Sequence, residues 1–93
     1  MLNAFDFYVV ELRAARKRDL RPVLEANPEL ARKIYTATVG VRNGFPVREY
    51  RLPVGYVDVP ERGAEERVDA LVAKYRGLVG DEVRVYDRYV ARD

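Results

Sequence analysis

The sequence predicts an α+β domain in which four β-strands alternate with two helical segments. Three observations lead to this fold class. Several runs rich in β-branched and aromatic residues are typical of strands, and two stretches with apolar residues every three or four positions are typical of helices. Between two of the strand-like runs stands Asn43-Gly44, the strongest short-range indicator of a β-hairpin. A length of 93 residues fits a single domain over residues 1–93.

The first third of the chain predicts a strand followed by short helices. The run from Phe5 to Leu12 is rich in aromatic and β-branched residues and is apolar on both faces, so we expect a central strand. Asp19 and Asn27 suit the position before a helix, and each has a proline close behind, where the first helical turn accepts it. We therefore expect two short helices, or one kinked helix, ending near Tyr35.

The rest of the chain predicts a hairpin, a helix and a last strand. Pro53 lies inside the second hairpin strand and indicates an edge, a bulge or a break, so residues 54–59 either continue that strand or form a fifth one. Apolar residues at helical spacing and glycines that end the run predict a helix. The expected ranges are 36–42 and 45–59 for the hairpin, 63–76 for the helix and 82–91 for the last strand.

This order of elements, with right-handed crossovers, gives a ferredoxin-like βαββαβ sandwich or a close variant. Its sheet is antiparallel and both helices lie on one face. The other face is then open to solvent, to a partner or to a second copy of the chain. We therefore look for function on that open face.

Composition excludes several kinds of chemistry. Cysteine and histidine are absent, and so is serine, which removes thiolate nucleophiles, cysteine or histidine metal sites and Ser–His–Asp triads. We expect no catalysis, no metal and no cofactor. No apolar run approaches the roughly 20 residues that cross a bilayer, and the N-terminus lacks signal-peptide features. We therefore expect a cytoplasmic protein without membrane contact, and the loss of Gln and Cys beside 34% charged residues is typical of thermophile proteins.

Arginine and aromatic residues supply the candidate binding site. Residues 13–21 carry five positive charges and one negative charge, and arginine alternates with tyrosine in the last strand. Guanidinium groups bind phosphates and aromatic rings stack on bases, so this combination favours single-stranded RNA or DNA. The predicted nucleic-acid-binding residues are Tyr8, Arg13, Arg16, Lys17, Arg18, Arg21, Phe45, Arg84, Tyr86 and Arg88.

Two segments resemble the RNA-recognition motif family, which has the same order of elements and stacks bases on its first and third strands. Residues 7–12 are similar to the six-residue motif of that family's first strand, with Tyr8 at the stacking position. Residues 43–50 are similar to the eight-residue motif of its third strand and match it at Gly44, Phe45 and Tyr50. The resemblance implies that Tyr8 and Phe45 stack on bases.

Two other functions fit the same residues. Surfaces rich in Tyr and Arg and poor in Lys are also typical of protein interfaces, so a homodimer, or an accessory subunit of viral or mobile-element type that binds a host or partner protein, is the main alternative. The segment of residues 10–20 followed by a sheet is similar to the start of RelE-type ribonuclease toxins, in which Arg84, Tyr86 and Arg88 would be catalytic. Each strand aromatic also suits simple packing within the sheet.

Overall fold

The computed structural model describes the backbone of residues 6–92 and the side chains of residues 6–87. Within that range four strands form one antiparallel sheet and two α-helices accompany it, so the predicted α+β class is confirmed. The strands are β1 (Asp6–Ala14), β2 (Tyr35–Arg42), β3 (Phe45–Asp58) and β4 (Val83–Arg92). The helices are α1 (Arg21–Ala26) and α2 (Ala64–Arg76), and 3-10 segments over Lys17–Leu20 and Pro28–Lys33 flank α1.

The strand order in the sheet is β2-β3-β1-β4. As the apolar character of both its faces predicts, β1 is a central strand, and β2 and β4 are the two edges. In the pairing of β1 with β3, Val10 lies opposite Gly55 and Glu11 lies opposite Pro53, so Val54 is an extra residue on β3. This bulge lets β3 continue through the proline. The alternative of a separate fifth strand over residues 54–59 is therefore wrong.

The core lies between the sheet and the helices. Alternate residues of β1, beginning with Val10 and Leu12, face the helical side and are fully buried. One cluster combines strand residues with residues from both helical segments: Leu12, Ala14, Leu20, Val23, Leu30, Leu52, Tyr75 and Val83. A second cluster packs α2 on the sheet through Val10, Val57, Ala64, Val68 and Val72. The other residues of β1, including Glu11 and Arg13, lie on the opposite face, which we call the open face.

The β2–β3 hairpin projects beyond the rest of the sheet. β1 ends where Ala14 pairs with Tyr50, so residues 45–49 of β3 have only β2 beside them. We call residues 37–49 the hairpin arm; five residues of strand extend it about 17 Å past β1. At its tip Asn43 and Gly44 have φ angles of 53° and 82°. Two positive φ angles in a two-residue loop define the predicted tight hairpin turn.

We expect Gly55→Ala to lower the free energy of unfolding by about 1–3 kcal/mol, because a Cβ at Gly55 would lie 2.5 Å from Leu71 Cδ1. Gly40→Ala is the matched control, since no atom lies within 4 Å of a Cβ there, and it should leave stability unchanged or raise it by up to about 1 kcal/mol. Urea denaturation followed by circular dichroism measures both. Equal effects of the two substitutions would contradict the close packing of α2 on β3.

Candidate functional site

A fully buried glutamate lies at the centre of the open face. Glu11 has no solvent-exposed surface although no helix covers it. Its carboxylate accepts a hydrogen bond of 3.0 Å from Arg13 Nε and one of 2.8 Å from the Tyr35 hydroxyl, and Arg51 Nε lies 4.0 Å from Oε1. A buried carboxylate is tolerated only when its charge is paired and hydrogen-bonded. The neighbouring side chains supply that pairing and help to exclude water.

A second glutamate completes the arrangement. Glu49 is 4% exposed and accepts hydrogen bonds from Arg51 Nε at 3.1 Å and from Arg84 Nη2 at 3.0 Å. Arg13 and Arg51 are directly opposite each other on β1 and β3, a pairing that like charges would destabilise. Glu11 on one side and Glu49 on the other neutralise the two arginines. We call this group the Glu–Arg network: Glu11, Arg13, Tyr35, Glu49, Arg51 and Arg84.

The network also shifts the pKa of two of its members, Tyr35 and Arg51. Partial burial raises the pKa of Tyr35, and the hydrogen bond to Glu11 and the charge of that carboxylate raise it further. Burial alone would lower the pKa of Arg51, but its interactions with Glu49 and Tyr35 outweigh this, so the net shift is upward. At neutral pH Tyr35 is therefore a hydrogen-bond donor and Arg51 a cation.

Three predicted site residues come together on the open face. The guanidinium carbon of Arg13 lies 4.0 Å from the centre of the Tyr86 ring, and that of Arg84 lies 5.9 Å from it. Cation–π contacts therefore hold the ring of Tyr86 beside the network. The predicted alternation of arginine and tyrosine is present, but Arg13 and Arg84 already have acidic partners in Glu11 and Glu49.

Tyr8 is on the other side of the sheet, and its predicted place on the open face is wrong. It packs against the cluster of Val10 and Val68, and its hydroxyl donates a hydrogen bond of 3.2 Å to Glu65 of α2. Because side chains alternate along a strand, Tyr8 shares the face of Val10, and that face is covered by the helices. Arg88 belongs to β4, but its side chain lies outside the described residues.

The remaining predicted cations lie in the segment that follows β1. Arg16, Lys17, Arg18 and Arg21 are all exposed, and we call them the basic loop. Among the described side chains, no carboxylate is within ion-pair distance of any of them. Three of them, with Leu24, line a shallow cavity of about 280 Å³. These four cations are therefore available to an external anion.

Positive charge is concentrated at one end of the molecule, although the exposed Asp81 and Glu82, just before β4, also lie at that end, because Val83 pairs with Ala14. The basic loop follows the last residue of β1, at the end of the sheet from which the hairpin arm projects. Phe45, another predicted site residue, stands near the tip of that arm and is 73% exposed. The acidic residues of the loop after β3 and of the first turn of α2 lie near the start of β1, where Asp58 pairs with Phe7. The length of β1, about 30 Å, separates the two groups of charges.

Sequence reasoning missed the acidic half of the network. Glu11 and Arg13 in β1, and Glu49 and Arg51 in β3, form two copies of a Glu-x-Arg pattern. Residues two apart in a strand share a face, so each copy places a carboxylate beside a guanidinium. Finding this pattern in two strands would have indicated paired charges. Tyr35, which completes the network, has no such local signal.

The chain matches no protein-family model, no curated protein and no solved structure. Among residues 6–92, no helix is long and apolar enough to cross a membrane. The described side chains contain no group of three or more acidic residues arranged to hold a metal ion. The candidate site therefore rests on the geometry of this chain alone.

We expect Glu11→Ala to lower the free energy of unfolding by about 3 kcal/mol, because Arg13 and Arg51 would face each other without the buried carboxylate. Glu61→Ala is the control: it removes an exposed ion pair with Arg67 and should cost less than about 1 kcal/mol. Urea denaturation at neutral pH measures both. Similar losses for the two variants would show that Glu11 contributes no more than a surface charge.

The raised pKa of Tyr35 predicts a pH-dependent stability. A raised folded-state pKa contributes stability that is fully present below the unfolded-state value of about 10 and is lost as the pH rises through the folded-state pKa. The natural chain should thus be more stable than Tyr35→Phe by about 1 kcal/mol near pH 8, and this difference should shrink as the pH rises above about 10. Denaturation of both proteins at each pH measures it. A constant difference would contradict the hydrogen bond to Glu11.

Proposed function

We propose that the protein binds nucleic acid without catalysis, prefers single-stranded RNA or DNA, and holds the phosphates with the basic loop. The observation that carries the proposal is the exposure of Arg16, Lys17, Arg18 and Arg21, none of which has a carboxylate partner among the described side chains. Clustered cations without internal partners can neutralise phosphates and release their counterions, which drives sequence-independent binding.

The open face has a smaller part in this proposal than the sequence predicts. Glu11 and Glu49 neutralise Arg13 and Arg51, so phosphates would have to compete with buried carboxylates for these guanidinium groups. Arg84 differs from them, because its side chain is 64% exposed while it contacts Glu49. It is the member of the Glu–Arg network best placed to add a phosphate contact.

The hairpin arm supports the preference for single strands. Phe45 presents a largely exposed ring, and the exposed cations Arg42 and Arg48 lie near it on the same arm. Stacking on an aromatic ring requires an unpaired base, and each stacked base contributes about 1–3 kcal/mol. A strand whose phosphates lie on the basic loop would extend toward this ring.

The separation of charge supports an oriented approach. Phosphates are attracted to the end of the molecule that carries the basic loop and the arm, and repelled by the acidic residues at the other end, including Glu61, Glu65 and Glu66. Such a field raises the rate of encounter and orients the partner. A net charge of +2 understates this attraction, because it averages the two ends.

We also propose that the fold is ferredoxin-like and that the protein is cytoplasmic. A ferredoxin-like arrangement is supported by the β-α-β-β-α-β order, by the position of β1 between β3 and β4, and by the shared packing of α1 and α2 residues in one cluster. We expect the protein to meet its nucleic-acid partner in the cytoplasm.

The test compares two variants that remove the same charge from different ends. Arg18→Gln/Arg21→Gln removes two basic-loop cations, and Arg62→Gln/Arg67→Gln removes two exposed cations at the acidic end. Fluorescence anisotropy with single-stranded RNA, single-stranded DNA and duplex, over a salt series, gives the affinity and its salt dependence. We expect the first variant to reduce the slope of log K against log salt by about 1.4, at about 0.7 per phosphate contact, and the second to leave it nearly unchanged.

The outcomes separate the parts of the proposal. Absence of binding at low salt, or equal losses in the two variants, would overturn the role of the basic loop. Phe45→Ala tests stacking in the same assay: affinity for single strands should fall while the salt slope stays the same. Stronger binding to duplex than to single strands would overturn the stated preference.

A second candidate function, protein–protein interaction, is favoured by a different observation. Among the described residues, most of the exposed large hydrophobic side chains belong to the β2–β3 hairpin. Apolar surface gathered in one projecting element is typical of an interaction surface.

A further inference from the structure

We infer that β2 pairs with β2 of a second copy of this chain, in antiparallel orientation about Thr38 and Val39, and so joins two sheets into one of eight strands. This inference concerns a different surface from the basic loop and does not depend on nucleic-acid binding. The partner is a second copy of this chain because, in this register, β2 places no like charges opposite each other and brings together side chains that lie on the same face of the sheet.

Exposed apolar surface is concentrated on this hairpin. Of the seven large hydrophobic residues that are exposed within the described side chains, five lie on β2 or on the adjacent part of β3: Tyr35, Val39, Val41, Phe45 and Val47. Val39 is 49% exposed and Val41 is 72% exposed. Pairing along β2 would remove apolar surface from water at these two positions.

The edge of β2 also lacks two of the usual protections against pairing, charge and proline, although it contains a bulge at Val39. An edge strand presents unpaired backbone N–H and C=O groups, and proteins commonly block such edges with charged residues or proline. Residues 35–41 contain neither. The only charged residue in β2 is Arg42, at its end beside the turn.

A bulge gives β2 its self-complementary register. Thr38 pairs with Arg48 and Gly40 pairs with Val47, so Val39 is an extra residue on β2. Residues seven apart in a regular strand would face opposite sides. Across this bulge Tyr35 pairs with Arg51 of β3 and Arg42 pairs with Phe45 of β3. These β3 residues are six apart and share a face, so Tyr35 and Arg42 also lie on the same face of the sheet.

Antiparallel pairing about Thr38 and Val39 then brings compatible side chains together. Tyr35 lies opposite the partner's Arg42 on the same face of the sheet, and the long Arg42 side chain can reach the exposed part of its ring for a cation–π contact while the Tyr35 hydroxyl keeps its hydrogen bond to Glu11. Ala37 lies opposite the partner's Gly40. No like charges are directly opposite, whereas a register that placed Arg42 opposite the partner's Arg42 would be destabilised by repulsion.

The first experiment measures mass against concentration by sedimentation equilibrium. The natural chain should shift from 10.7 kDa toward twice that mass as its concentration rises. Val39→Lys should weaken this association at least tenfold, because it places two cations close to the two-fold axis. Val47→Lys is the matched control: it introduces the same charge into the same hairpin, but on β3, and should leave the dissociation constant within about threefold, since single surface changes are usually worth less than about 0.5 kcal/mol.

The second experiment tests the register by disulfide formation, which is simple because the chain has no cysteine. Ala37→Cys and Gly40→Cys are made as separate variants, and a Cβ at Gly40 meets no atom within 4 Å. Directly opposite residues in a sheet have Cα atoms close enough for a disulfide. Oxidation of a mixture should therefore give a cross-linked dimer of one variant with the other, and each variant alone should remain uncross-linked.

Each outcome decides the inference. A monomer at every concentration would overturn it, and so would a dimer that Val39→Lys leaves intact. Cross-linking of either cysteine variant by itself would overturn the register. Because Arg18→Gln/Arg21→Gln leaves β2 unchanged, this variant should associate with the same dissociation constant as the natural chain, so failure of one proposal can be told from failure of the other.

Discussion

The buried carboxylate of Glu11 is the interaction on which the arrangement of the open face depends. Removing a carboxylate from water costs several kcal/mol, and here no helix offers compensating groups. Instead, Arg13 from the same strand and Tyr35 from the far edge of the sheet bond to it. The Tyr35 side chain reaches across β3 to do so, which ties the register of β2 to the central strand. One buried charge thus fixes how three strands lie relative to one another.

The same constraint divides the cations of the molecule into two groups. On the open face, guanidinium groups are held by Glu11 and Glu49 and serve the stability of the sheet. In the basic loop, cations have no such partners among the described side chains and remain available to a ligand. The amino-acid composition does not distinguish these two groups of cations. Their positions relative to Glu11 and Glu49 decide which of them are available to bind a ligand.

Local patterns in the sequence were enough to predict the elements but not their pairing. The turn at Asn43-Gly44, the helix of residues 64–76 and all four strands follow from turn chemistry and hydrophobic periodicity. The bulge next to Pro53 cannot be predicted in this way, because it exists only in the pairing of β3 with β1. The face occupied by Tyr8 was assigned wrongly because β1 is apolar on both sides, so alternation alone could not show which side the helices cover. The Glu–Arg network likewise needs strands that are far apart in sequence.

The central position of β1 has a consequence for how the chain folds. This strand is the first of the four described strands, yet its neighbours in the sheet lie more than forty and more than seventy residues later in the pairs of Val10 with Gly55 and Leu12 with Val85. Contacts so distant in sequence close long loops before they add stability, which slows folding. During synthesis β1 therefore has neither neighbour until the residues of β3 and then of β4 have followed it, and its apolar side chains are exposed to aggregation in that interval.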